Sequence, residues 1–446
     1  MTAFAMPVRG TITALALVGS FGVAAAQYSD DRYLPAMAST ATALPSASPS
    51  EWSGEPGASG HPTMTRDAIL GAAANFRACL DGLWPAAARR GVTRAAFDQH
   101  TAGLTPDLKI MDFLDAQPEF TKAFWDYVDT LVNETRIQKG RDMLLVYGPA
   151  FESVEKAYGV DRHVIAAIWG IESNYGAAIG ERSVVRSTAT LACVGRRQDY
   201  FRDEFLSALE ILNRGDVRPE QLKGSWAGAF GPTQFMPTSF KRHAVDFDGD
   251  GRRDVVNSVP DVIASTANNL KKDGWVAGQS WGYEVVVPNG FDYRLADRSH
   301  QLSVSQWEHL GIQRVEGKPF PRSSDRGYLL VPAGARGPGF LMLTNFRVIM
   351  KYNPAEAYAL AIGHLADRLR GGGPVVQTWP RDERVLTRDE RLELQQRLAS
   401  RGFEVGEPDG RLGGKTRAAV RDFQSRMGLT PDGFASGTIL NRLRGL

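Results

Sequence analysis

The sequence has little of what defines several classes of protein. Its formal net charge is only +2, so there is no strong electrostatic case for binding nucleic acid. Its seven histidines show no paired metal-ligand spacing, which leaves a metalloprotease or amidase without support. Beyond residue 26, no stretch is long and apolar enough for a transmembrane helix. The 43% hydrophobic and 23% charged residues are instead typical of a soluble globular protein.

Residues 1–26 have the features of a secretory signal peptide. Arg9 supplies the positive start, and Ile12–Val23 form an apolar run that is too short to span a bilayer. Three alanines follow, which favours cleavage before Gln27. The alternative is an uncleaved N-terminal anchor. No cysteine follows the run to carry the lipid of a lipoprotein. We therefore expect a periplasmic protein without a stable membrane anchor.

The only two cysteines are Cys79 and Cys193. An exported protein meets an oxidising compartment, where two lone thiols often pair. We therefore expect a disulfide between them, with two buried, unpaired thiols as the alternative.

The 446 residues are enough for two or three domains. Residues 27–65 are rich in Ala, Ser, Pro and Thr and indicate a flexible linker. A globular pattern extends over 66–370, and it is mainly helical as far as residue 280. The strongest helical segments are 67–90, 119–158 and 161–175.

Short β-rich runs then predict a small sheet-containing subdomain at about 281–346. The glycines at 371–373, followed by Pro374, open a second linker over 371–384. Residues 385–446 form a separate helical unit, in which Thr416 is placed to cap a helix.

Glu172 stands out because it shares a predicted helix face with apolar residues. Ile165, Ile168 and Trp169 lie seven, four and three positions before it, so all four point the same way. Asp161 can cap this helix and Gly176 can close it. Burial disfavours the charged carboxylate and should raise the pKa of Glu172, as a general acid needs. A structural glutamate paired with an arginine is the alternative.

A second segment, Ser225–Pro237, combines two glycines, two prolines and several large apolar residues. This composition suits a tightly folded loop at a cleft, where glycine lets backbone approach a ligand. Ser225 and Gln234 offer uncharged hydrogen-bonding groups suited to a sugar. A packed structural loop is the alternative.

Several motifs in the same order resemble the lytic murein transglycosylases, above all the transglycosylase B family, glycoside hydrolase family 103. The resemblance covers roughly residues 70–370. The motifs are Ile-Glu-Ser-Asn-Tyr-Gly at 171–176, Gly-Ala-Phe-Gly-Pro-Thr-Gln-Phe-Met-Pro at 228–237, Thr190–Ala192 with Arg196, Arg197 and Tyr200, and Lys351–Pro354 with Tyr358–Ile362.

The resemblance implies a lysozyme-like helical core, with Glu172 as the single acid and base that cuts peptidoglycan glycan strands without consuming water. No second carboxylate of the kind that other glycosidases need is evident in these motifs. No catalytic cofactor is implied. The resemblance also implies that other residues bind sugar or shape the cleft: Ser225, Gln234, Tyr200, Arg196, Arg197, Tyr352, Asn353 and Tyr358.

Residues 246–251 begin like an EF-hand calcium loop, with alternating aspartates followed by glycine. The twelfth position holds Asn257 instead of the usual glutamate, and the resembling family has a divergent site here. We expect a structural Ca²⁺, with a solvated acidic turn as the alternative. The candidate ligands are Asp246, Asp248, Asp250, the backbone carbonyl of Arg252, Asp254 and Asp261.

Residues 385–446 resemble the three-helix peptidoglycan-binding domain of wall hydrolases, through Leu394–Leu398, Pro408–Gly413, Thr416 and Phe423-Gln424. The resemblance implies a tether to the wall polymer. We expect a mainly α, monomeric enzyme that cleaves peptidoglycan. A hydrolytic muramidase and a non-catalytic wall-binding scaffold are the alternatives.

Overall fold

The computed structural model describes residues 52–54, 64–114 and 122–445. The signal peptide predicted at 1–26 lies outside the described residues, as does most of the linker predicted at 27–65.

Helices make up most of the first two hundred described residues, as the periodicity predicts. Their bounds are α1 Arg66–Ala74, α2 Phe76–Arg89, α3 Arg94–Thr101, α4 Phe124–Leu131, α5 Glu134–Val146, α6 Gly148–Tyr158, α7 Arg162–Ser173, α8 Val184–Cys193, α9 Gln198–Arg214, α10 Pro237–His243 and α11 Val259–Lys272. A two-stranded ladder pairs β1 (Arg182–Ser183) with β2 (Lys223–Gly224).

The long helical segment predicted at 119–158 is divided into α4, α5 and α6. Asn133 starts α5, because its side chain accepts a hydrogen bond from the backbone N–H of Arg136 at 2.9 Å. Pro149 lies in the first turn of α6, where its missing N–H costs no helical hydrogen bond. Capping residues therefore set boundaries that hydrophobic periodicity does not reveal.

The predicted β subdomain is a five-stranded antiparallel sheet. Its strands are β3 Gly282–Val286, β4 Leu302–Ser303, β5 Gln313–Arg314, β6 Arg326–Leu330 and β7 Gly339–Leu343, in the order β4-β6-β7-β3-β5. One face packs on a separate small core that contains Trp307, Leu329 and Leu341. The alternate residues Tyr328 and Phe340 belong to the main helical core. The sheet therefore joins both cores through opposite faces. Helix α12 (Val304–His309) directly follows β4 in the chain.

Two helices return the chain to the main core, α13 (Thr344–Tyr352) and α14 (Glu356–Leu369). Helix α14 packs along α7. The C-terminal module contains α15 Arg388–Ser400, α16 Gly414–Arg426 and α17 Gly437–Arg444 around its own apolar core. The chain is thus mainly helical with a small sheet, as predicted.

Thr416 does not cap α16, so that prediction is wrong. Gly413 is the N-cap residue, and Thr416 lies buried inside the helix, where its hydroxyl accepts a hydrogen bond from the Gln395 amide at 3.1 Å. A threonine followed by apolar residues resembles a cap, but here it satisfies a buried polar group.

The segment predicted as the second linker packs against the main helical core and the sheet. Trp379 is only 7% exposed and packs near Phe124, Trp125 and Phe340. Upstream, the backbone N–H of Gln377 donates to the Glu284 carboxylate at 2.8 Å. Trp379 therefore anchors a segment whose glycines and proline predict a flexible linker.

Cys79 and Cys193 are bonded to each other, with their Cα atoms 6.0 Å apart. The bond joins α2 to the end of α8. In the described ranges, no helix is both long and apolar enough to cross a membrane.

Candidate active site

Helix α7 carries Glu172 into the protein interior. Asp161 caps the helix as predicted, because its carboxylate accepts from the His163 N–H at 2.8 Å. Every residue of the helix from Val164 to Ser173 is buried, so apolar side chains surround the carboxyl on its own helix. Glu172 is only 2% exposed.

The backbone turns sharply just after Glu172. Helix α7 ends at Ser173, and its C-cap is Asn174, not the predicted Gly176, because Asn174 itself is left-handed with φ 51°. Tyr175 also has φ 58°, an unfavourable conformation for a bulky residue. Its hydroxyl donates to the backbone carbonyl of Arg136 at 3.0 Å, and a Cβ on Gly170 would lie 2.6 Å from its ring. The hydrogen bond from Tyr175 and the space left by Gly170 thus stabilise the strained turn beside the Glu172 carboxyl.

Burial controls the protonation of Glu172. Loss of solvation raises the pKa of its carboxyl from 4.5 to about 8. The Tyr358 hydroxyl donates to Oε1 at 2.5 Å, which opposes this rise because it favours the charged form. Desolvation is the larger effect, so the carboxyl keeps its proton at neutral pH. A paired structural glutamate would have the opposite shift.

Two tyrosines from α13 and α14 line the same place. Tyr352 and Tyr358 are both buried, and burial together with the nearby Glu172 charge raises the pKa of each phenol. The Tyr352 hydroxyl donates to the Thr233 carbonyl at 2.5 Å, and its ring lies edge-on to Phe235. The structure therefore brings the predicted residues Glu172, Tyr352 and Tyr358 together.

The Gly- and Pro-rich loop is tied to α7 through the residue after Glu172. The Ser173 hydroxyl donates to the Pro232 carbonyl at 2.5 Å. Gln234 has φ 52°, and its amide donates to the carbonyls of Ile179 at 3.0 Å and Gly231 at 2.9 Å. Ser225 Oγ accepts from the Ala229 N–H at 3.1 Å. These contacts of Gln234 and Ser225 shape the loop.

Asn353 has a similar role in the turn between α13 and α14. Its side-chain oxygen accepts from the Ala355 N–H at 3.0 Å, and the residue is buried. This bond shapes the turn around Pro354, which precedes the helix that carries Tyr358.

The predicted residues of the arginine-pair motif make their described contacts elsewhere. Arg196 donates to the Leu114 carbonyl at 3.2 Å, and the Arg197 guanidinium lies 4.7 Å from the centre of the Tyr200 ring.

Tyr200 also hydrogen-bonds to Glu204, a buried carboxyl whose pKa is raised by burial. Glu204 also accepts from the Thr238 N–H at 2.9 Å and so caps α10. Sequence reasoning missed Glu204, although its spacing from Tyr200 on one helix face was available.

The acidic loop brings together three of the six predicted calcium ligands. Carboxylate oxygens of Asp246, Asp248 and Asp261 lie within 4.8 Å of one another. Asp250 and Asp254 lie outside this group. They accept hydrogen bonds from backbone N–H groups of their own turns, as the three clustered carboxylates also do. Three clustered carboxylates repel one another unless a cation joins them, so this donor set fits a divalent ion with oxygen ligands.

The site is a desolvated carboxyl on an apolar helix, faced by two phenols and a tight loop in a mainly helical domain. This arrangement defines a lysozyme-like domain with a single acidic group. Residues 75–367 match the transglycosylase SLT domain family. The chain therefore belongs to the transglycosylase SLT family. Residues 387–443 match a peptidoglycan binding domain.

Individual proteins agree with this assignment. Membrane-bound lytic murein transglycosylase B of Escherichia coli is 32% identical over 249 residues, which are 54% of this chain and 66% of that protein. This chain thus spans just under two thirds of that relative. SltB3 from Pseudomonas aeruginosa, in complex with NAG-anhNAM-pentapeptide, is 45% identical over 83% of this chain and 99% of its own, with a TM-score of 0.80. Escherichia coli Slt35 in complex with calcium is 28% identical over 66% and 92%, with a TM-score of 0.56.

Proposed function

We propose that this protein is a peptidoglycan lytic transglycosylase that cuts the β-1,4 bond between N-acetylmuramic acid and N-acetylglucosamine. Glu172 gives its proton to the glycosidic oxygen as the bond to C1 breaks. The resulting carboxylate takes the proton of the muramyl C6 hydroxyl, whose oxygen attacks C1. The products are a free GlcNAc hydroxyl and a 1,6-anhydro-muramyl end, and no water is consumed.

The observation that carries this proposal is the pKa of Glu172, about 8 through burial. A general acid must hold its proton until the substrate arrives, and a base must recover it afterwards. A carboxyl with a pKa near the working pH can do both. Tyr358 donates to Glu172, so it stabilises the carboxylate that forms between the two steps.

A hydrolytic muramidase is the second candidate, since it would use the same fold and substrate. In that case water, rather than the C6 hydroxyl, attacks C1. The relative SltB3 is described in complex with NAG-NAM-pentapeptide and with NAG-anhNAM-pentapeptide. The second compound has the anhydro end that the lytic reaction produces, which supports that reaction here. A wall-binding scaffold would not need Glu172 to be buried and protonated.

Digestion of purified sacculi followed by mass spectrometry tests the proposal. We expect muropeptides lighter by one water than reducing-end products. Glu172→Gln should abolish release while wall binding persists, and Glu210→Gln is the matched control because it makes the same exchange in a half-buried glutamate that pairs with Lys241. Reducing ends would support the muramidase instead, and full activity of the Glu172→Gln variant would defeat the assignment of Glu172 as the catalytic acid.

We further propose that the protein acts in the periplasm as a monomer, delivered by the signal peptide at 1–26 and held on the wall by its C-terminal module. The match of residues 387–443 to a peptidoglycan binding domain supports the module's part. Cosedimentation of the Glu172→Gln variant with sacculi should succeed for the full chain and weaken when residues 385–446 are removed.

We also propose a structural Ca²⁺ held by Asp246, Asp248 and Asp261. The convergence of their oxygens supports it, as does the complex of the relative Slt35 with calcium. Ca²⁺ should raise the melting temperature of the wild type but not of Asp261→Asn. Asp389→Asn in the C-terminal module is the control. An equal response of all three proteins would contradict this site.

A further inference from the structure

Glu356, the first residue of α14, is a buried carboxylate held by arginines from two different parts of the chain. Its side chain is 8% exposed. Arg298, in the connection between β3 and β4, donates to Oε1 at 2.8 Å. Arg417, on α16 of the C-terminal module, brings a guanidinium nitrogen to 3.6 Å from Oε2. The cations outweigh desolvation and lower the pKa of Glu356, so the group is ionised at neutral pH.

Glu356 is close in sequence to Tyr358, the hydrogen-bond partner of Glu172. Tyr358, two residues further along α14, donates to Glu172. On the other side, the Asn353 turn leads into the same first helical turn. A loss of order at Glu356 would therefore reach the backbone of Tyr358 within the first turn of α14. Small displacements of a catalytic hydrogen bond can cost a large part of the rate.

The module holds Arg417 through further contacts with the rest of the chain. Asp432 accepts from the backbone N–H of Ala335, beside β7, at 2.8 Å. The Thr438 N–H donates to Glu383 at 3.1 Å. Phe434 packs against the main core. Arg417 thus reaches Glu356 from a docked surface, although the arginine itself remains 45% exposed.

We propose that the C-terminal module takes part in positioning the catalytic site, because its Arg417 holds Glu356 and thereby the turn of α14 that aims Tyr358 at Glu172. Arg417 is a positioning residue that touches neither substrate nor the reacting atoms. This inference rests on the proposed lytic reaction. It gives the module a role that a tether would not have, since a tether changes only the local concentration of substrate.

Steady-state kinetics on a short soluble glycan oligomer separate the two roles. Arg417→Met removes the charge but keeps the aliphatic stem. We expect about a three- to tenfold fall in kcat with KM nearly unchanged, because the partner Glu356 is buried and loses one of its two cations. Arg417→Lys should restore most of kcat. The matched control is Lys415→Met, on the same helix, whose partner Glu404 lies within the module.

Two further measurements exclude a folding defect and a binding defect. Thermal melting should show that the module stays folded in each variant. Binding of Arg417→Met to sacculi, measured in the Glu172→Gln background, should match its parent. A double-mutant cycle of Arg417→Met with Glu356→Gln should be strongly non-additive in kcat, because both changes break one interaction.

The possible failures are distinguishable. If the wild type released no anhydro product, the proposed reaction would be wrong and this inference would go with it. If the wild type were active and Arg417→Met kept the wild-type kcat, or matched Lys415→Met, only the positioning role would be overturned. Additive effects in the cycle would also overturn it.

Discussion

Replacing the catalytic carboxyl should make the protein more stable, and by an amount that depends on pH. Glu172 has a pKa of about 8 in the folded protein against 4.5 for an ordinary glutamate. A carboxyl with a raised folded pKa contributes most to stability below 4.5, and the contribution is lost as pH rises through 8. Glutamine does not titrate and can still accept the Tyr358 hydrogen bond. The Glu172→Gln variant should therefore keep the free energy of unfolding that the wild type loses as pH rises.

The interval between 4.5 and about 8 sets the size of the effect. At 1.36 kcal/mol per pH unit, Glu172→Gln should be more stable than the wild type by up to about 5 kcal/mol at pH 8 and above. At pH 7, where part of the interval has been crossed, about 3 kcal/mol is expected. At pH 4 the two proteins should be nearly equal, because both the folded and unfolded wild type are then largely protonated.

Urea unfolding of the catalytic domain at pH 4, 6 and 8 measures this difference in the free energy of unfolding. Glu210→Gln again serves as the control, because it makes the same exchange of a carboxyl for an amide at a glutamate paired with Lys241. A gap that stayed constant from pH 4 to pH 8, or one that narrowed, would refute the reasoning. In that case burial would not be what sets the protonation of Glu172.

Three other predictions concern the surroundings of the site. Tyr358→Phe removes a donor that lowers the pKa of Glu172, so the alkaline limb of the pH–rate profile should move up by about 1–2 units; an unchanged limb would contradict this. Cys79→Ser opens a disulfide across a sequence separation of 114 and should lower the free energy of unfolding by about 4–5 kcal/mol, with unaltered urea unfolding as the contrary result. Gly170→Ala places a Cβ 2.6 Å from the Tyr175 ring and should cost about 1–3 kcal/mol, whereas a variant as stable as the wild type would show that the strained turn can relax.

The burial of Glu172 could be predicted because it depends on one helix. The spacing of Ile165, Ile168 and Trp169 fixes the face, and a helix translates spacing directly into direction. Burial is more extensive than the spacing predicts, since all residues from 164 to 173 are buried and not only those on one face. The pKa of the group followed from the same local argument.

Contacts between distant segments could not be obtained in this way. Tyr358 is 186 residues from Glu172, and only a family resemblance indicated its part in the cleft. The roles of Ser225 and Gln234 in shaping their loop depend on backbone partners that composition does not specify. Thr416 was misplaced because a buried threonine and a capping threonine have the same sequence pattern.

The anchoring of Trp379 has a consequence for the pattern of cutting. A flexible connection would let the C-terminal module and the active site take many separations along a glycan strand. Here Trp379 packs near Phe124 and Phe340. This packing restricts the distance between the C-terminal module and Glu172. If the module binds the wall as proposed, fragments released from a long strand should therefore cluster around preferred lengths.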